Sequence, residues 1–132
     1  MVEFALVAPV LLLLLAGVLD YSLALRTAIA VTDAARAGAE YGSVSAANAA
    51  DIAGMQTAAH NAVPNLTGMT ATAVRSCKCS NGSAVSCTGT CASGPMSIYV
   101  EVTTQASALN AFSYPGLSFS GAVSAKAVMR AR

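Results

Sequence analysis

The chain has 132 residues, 55% of them hydrophobic and only 10% charged, with a net charge of +1. Once the apolar first quarter is set aside, this length allows at most one soluble domain, and the composition is too apolar for a disordered chain. Seven scattered Lys and Arg residues give no electrostatic footprint for phosphate, which argues against nucleic acid as a primary ligand.

From Phe4 to Leu19 there is no charged residue. As a helix at about 1.5 Å per residue this run reaches roughly 24 Å, short of a bilayer core of about 30 Å. Extension past Asp20 to Leu25 supplies the missing length and sets Asp20 and Tyr21 near one interface, where aromatic residues concentrate. A cleaved signal peptide would open on basic residues and close on a small-residue cleavage site; Glu3 has the opposite charge. Pro9 removes a backbone hydrogen bond and is expected to kink or locally melt the helix.

The helical pattern continues to about Gly42. Asp33, Arg36 and Glu40 are spaced so that one arginine can serve two carboxylates on a solvated face. Ala34, Gly38 and Gly42 recur every fourth residue, a small-residue face that lets another backbone approach closely. Ser43 or Ser45 can cap a second helical segment running to about Val63, with Ile52, Met55, Ala59 and Ala62 as its apolar face and Pro64 as its stop. This segment is expected to cover a sheet. His60, the single histidine, has no acid or cysteine beside it in the sequence and reads as a surface residue.

From Met69 onward the apolar period becomes two, and Met69 to Ser76, Ser97 to Thr104 and Leu117 to Arg130 read as strands. In the last, Leu117, Phe119, Val123, Ala125, Ala127 and Met129 share one face, while Ser118, Ser120, Ser124, Lys126 and Arg130 share the wet one. Cys77, Cys79, Cys87 and Cys91 lie in a segment rich in Ser, Gly and Thr, and in an exported domain they read as two disulfides. Cys-x-Cys followed by Cys-x3-Cys departs from the paired Cys-x2-Cys knuckles of zinc sites. The cysteines flank the tight-turn dipeptide Asn81-Gly82, so the nested pairing of Cys77 with Cys91 and Cys79 with Cys87 suits a hairpin; spacing leaves the crossed pairing open. Asn65-Leu66-Thr67 and Asn81-Gly82-Ser83 satisfy the glycosylation sequon, although the turn already accounts for Asn81.

The expected class is α+β: a long N-terminal apolar helix over 1–42, then a globular region over 43–132 with a second helix, a small antiparallel sheet and a disulfide-rich hairpin at about 76–92. The opening Met1-Val2-Glu3-Phe4-Ala5-Leu6-Val7-Ala8-Pro9, the leucine run and the acidic residue followed by Tyr21 resemble the N-terminus of TadE-like pseudopilins of tight-adherence (Flp-type) type IV pilus systems. The end Ala127-Val128-Met129-Arg130 is similar to the end of that family, and the outline fits the pilin plan. The resemblance implies a precursor cut by a dedicated peptidase after a glycine, held in the cytoplasmic membrane and then polymerised or used to prime polymerisation. The acidic residue of the motif maps onto Glu3, which stands third here where the family usually has it fifth from the mature N-terminus, so the position of the cut is left open.

Glu3, Phe4, Pro9, Asp20 and Tyr21 are therefore the candidate assembly residues. A carboxylate beside an apolar helix costs about 2.5–3.5 kcal/mol to insert, so Glu3 should reach the interface or meet a cation such as a neighbouring subunit's terminal amine. The expected partners are other copies of the chain in a helical filament, the pilus assembly machinery and, before assembly, the cytoplasmic membrane; the C-terminal domain ends outside the cell. The alternatives are a minor or priming pseudopilin and a single-pass anchored binding module that forms no bulk filament. An enzyme is not expected: one histidine, singly spread acids and no glycine-rich loop followed by Lys give no catalytic, cofactor or metal constellation.

Overall fold

A computed structural model of the chain describes residues 2–92, 94–108 and 121–132, the side chains of Val2, Glu3 and Ala5 excepted. Helix α1 spans Val2–Ser43 and continues through Pro9. Beyond its end, Ser45 adopts an extended conformation and its hydroxyl accepts the Asn48 N–H at 3.1 Å, which starts the short helix α2, Ala46–Ala50. The Asn48 side-chain amide donates to the Tyr41 carbonyl at 3.1 Å, satisfying one of the carbonyls that the end of α1 leaves without a partner.

The single helix expected up to Val63 is interrupted at Asp51. Its carboxylate accepts the Gly54 N–H at 2.9 Å and thereby caps a separate helix α3, Ile52–Ala62. Aspartate competes with helical backbone bonding in a helix interior but favours an N-cap, so the break falls where the side chain gains most. The Gly54 N–H and then the Tyr41 hydroxyl, which donates to the same carboxylate at 2.9 Å, hold the Asp51 carboxyl below its ordinary value. A lowered folded-state value stabilises the protein above the ordinary carboxylate range, and the contribution is lost as pH falls through the folded value. Thermal melts of the full chain in detergent should therefore show Asp51→Asn losing less stability than the parent on acidification from about pH 7 to about pH 3. Equal losses in the two proteins would refute the assignment.

Four antiparallel strands follow: β1 Thr70–Cys79, β2 Ala84–Val85, β3 Met96–Ser107 and β4 Ala122–Arg130, in spatial order β2-β1-β3-β4. β1 pairs with β3 from Thr70↔Gln105 to Cys79↔Met96, and β3 with β4 from Tyr99↔Arg130 to Ser107↔Ala122. All three strands expected from the sequence are present. β1 and β3 extend beyond their expected ends, and β4 begins at Ala122; the part of its expected range over 117–120 lies outside the described residues.

One face of the sheet is dry. Val100, Val102, Thr104 and Ala106 of β3 point into it, with Ala125, Ala127 and Met129 of β4 beside them, as the alternation predicts. The C-terminal half of α1 and α3 cover this face, bringing Val31, Ala34, Ala39, Met55 and Ala59 into the core. The small-residue stripe serves this packing, because Gly38 and Gly42 face Met55 of α3 and Val102 and Val100 of β3. Thr104, fully buried, donates its hydroxyl to the Val31 carbonyl at 2.7 Å, which fixes β3 against α1. The other face carries Val74 and Val128, both exposed, the Lys78–Tyr99 cation–π pair and the Lys126–Glu101 ion pair. Asp33, Arg36 and Glu40 are exposed and make no ion pair with one another, and His60 is exposed in the last turn of α3.

Candidate functional site: the uncovered half of the N-terminal helix

Helix α1 lies in two environments. From Thr27, which is 2% exposed, one side of it packs into the core. Before that point the side chains project outward on every side: Val10, Leu11, Leu12, Leu13, Leu14 and Leu15 are all more than half exposed. Consecutive helical residues are turned by about 100°, so six in a row leave no direction covered. In water such a surface would be strongly unfavourable, because apolar area is stabilised only when removed from it.

The length matches a lipid solvent. Residues 4–25 form a rod of about 33 Å, against a hydrocarbon core of about 30 Å. The helix is long and apolar enough to cross a membrane, with a mean hydropathy of 2.2 over its most apolar window and none of that window buried. Ser22, a polar side chain within it, is satisfied locally, donating to the Leu19 carbonyl at 2.7 Å. Such internal bonding is what a helix without water to bond to requires.

The candidate assembly residues occupy the two ends of this rod. Glu3 lies in the first turn of α1, its side chain outside the described residues, and Phe4 and Pro9 are exposed near it. Asp20, half-buried, and Tyr21, exposed, stand about 25 Å along the helix from Glu3. The two groups do not meet within one chain, so any joint action runs through a second copy or the bilayer.

At the far end of the domain the four cysteines form two disulfides, Cys77–Cys87 and Cys79–Cys91, with Cα separations of 5.2 and 5.7 Å. The nested pairing that suited a hairpin is thus overturned in favour of the crossed one. β2 is only two residues long, and after it the chain turns back, the Gly89 N–H donating to the Ser86 carbonyl at 2.8 Å. This reversal leaves Cys87 beside Cys77 and carries Cys91 to Cys79. The tight turn at Asn81-Gly82 is present, with Gly82 at φ +84° and its N–H donating to the Cys79 carbonyl. The change of environment at Arg26–Thr27 follows the limit at Leu25 expected of the membrane-length run, and in the sequence it coincides with a change from leucines to alanines, Ala30 and Ala34, and Ala35 and Ala39, standing four apart.

No curated protein and no solved structure matches the chain. Residues 1–40 match the model of a family described as TadE-like protein, so the similarity that the opening motif implies extends over the bare half of α1 and most of its packed half.

Proposed function

We propose that this chain is a structural pilin or pseudopilin that polymerises through α1 into a Tad (Flp-type) surface filament for adhesion. The observation that carries the reading is the division of α1 into a bare apolar half of membrane length and a half locked into the domain core. The TadE-like match over residues 1–40 supports the same reading by associating the chain with Tad pili.

Before assembly the bare half sits in the cytoplasmic membrane, with the sheet domain on the outer side, where two disulfides can form and persist. On assembly the leucines exchange lipid tails for neighbouring helices. The exchange gains little hydrophobic free energy, because lipid is as apolar as leucine, so packing and polar contacts decide it. Glu3 meets a cation on the adjoining subunit, and an external motor supplies the work. The role is structural rather than catalytic.

Electron microscopy of material sheared from producing cells, coupled to intact mass of the subunit in it, tests the reading. Filaments built mainly of this chain, carrying two disulfides, are the expected result. A chain confined to the membrane fraction, absent from every filament, would point instead to a priming subunit or an anchored binding module.

A further inference from the structure

Where α1 changes environment, a cavity of about 320 Å³ opens between the helix and the segment after α3. Its helix side is Arg26 and Ala30, and its other side is Val63, Pro64, Asn65 and Leu66. Three features converge on it. The membrane-length rod of residues 4–25 ends at Leu25, just past the Asp20 and Tyr21 that stand near the interface, so the cavity opens on the headgroup side of the rod and extends only about 6 Å along the helix. Arg26 lines it, is exposed and brings a guanidinium suited to phosphate. The opposite wall is apolar except for Asn65, with Val63 and Leu66 only partly covered by the domain's own core.

The geometry points to an anionic-phospholipid site in the outer leaflet: Arg26 binds the phosphate of a lipid with no cationic headgroup to compete with it, and the glycerol and upper acyl chain lie against Val63, Pro64 and Leu66. Charge complementarity and direct continuity with the membrane-facing surface of α1 select a lipid as occupant. The inference rests on the membrane-spanning reading of α1. Bound this way, a lipid would seat the base of the domain on the bilayer and would have to be released for the subunit to leave it.

Because all four cysteines are paired, an introduced cysteine provides a single reactive thiol. Thr67→Cys, exposed beside Leu66, would carry a fluorophore in the full chain reconstituted into phosphatidylcholine nanodiscs containing headgroup-spin-labelled phosphatidylglycerol. Quenching at position 67 should saturate at low mole fractions of the labelled lipid, and Arg26→Gln should raise the half-quenching fraction ~5-fold, the effect of one basic group at an anionic surface. A label at Val128 on the outer sheet face should stay unquenched, and one at Leu12 should be quenched by chain-labelled lipid. Quenching at 12 without saturable, Arg26-dependent quenching at 67 overturns the lipid site alone. Absence of quenching at 12 overturns the membrane span and the site together.

Discussion

Gly38→Ala should lower the thermal unfolding midpoint of the sheet domain by roughly 10 °C, the size expected for overpacking a core by about 1–3 kcal/mol in a domain of this length. A Cβ at Gly38 would stand 2.8 Å from the Met55 carbonyl oxygen, 3.0 Å from Val102 Cγ1 and 3.3 Å from the Ala59 Cβ. The nearest of these is backbone, which cannot swing away as a side chain can. Helix propensity alone predicts the opposite sign, since alanine in place of glycine favours a helix by about 1 kcal/mol. Gly17 is the internal control: nothing approaches within 4 Å of its Cβ position, so Gly17→Ala should leave the domain's midpoint unchanged. Circular dichroism melts of the three proteins in detergent decide the matter, and an unchanged or raised midpoint for Gly38→Ala would show that α3 does not seat on α1 as described.

The second large effect is expected at the disulfides. Removing one of them as a pair, Cys77→Ala with Cys87→Ala, should cost about 2–4 kcal/mol, chiefly by freeing a loop in the unfolded chain. The same pair tests connectivity. The double variant should contain no free thiol, because Cys79 and Cys91 remain bonded to each other, whereas Cys77→Ala with Cys91→Ala should strand two thiols that react with an alkylating reagent. Thiol counts by intact mass in the reverse pattern would restore the nested pairing.

Much of this fold is legible in the sequence because local and tertiary preferences agree. The period-two alternation of β4 puts Val123, Ala125, Ala127 and Met129 on the core face without help from the rest of the chain. The end of α1 near Gly42 and the turn at Asn81-Gly82 are written in the same local terms. The departures have tertiary causes. Asp51 divides a helix-compatible run because Gly54 and Tyr41 offer its carboxylate two donors at once, and Tyr41 lies ten residues away in the sequence. The cysteine pairing depends on how short β2 is and on the reversal at Gly89, neither of which spacing encodes. Thr104, a polar residue at a core position, looks unremarkable until the Val31 carbonyl of α1 is seen beside it. The assembly residues are legible only as a motif, because Phe4 and Tyr21 are largely exposed and packing among the described residues does not reveal what they touch.

Helix-to-helix contact is the core of the proposed role, and thiol cross-linking reads it directly. Leu12, two-thirds exposed in the middle of the bare run, becomes the sole free thiol in Leu12→Cys. Oxidation of sheared surface material from producing cells should yield covalent dimers of Leu12→Cys and leave Val128→Cys, on the outer sheet face, monomeric. A Leu12→Cys chain that stays monomeric and is recovered only from the membrane fraction would contradict polymerisation through α1.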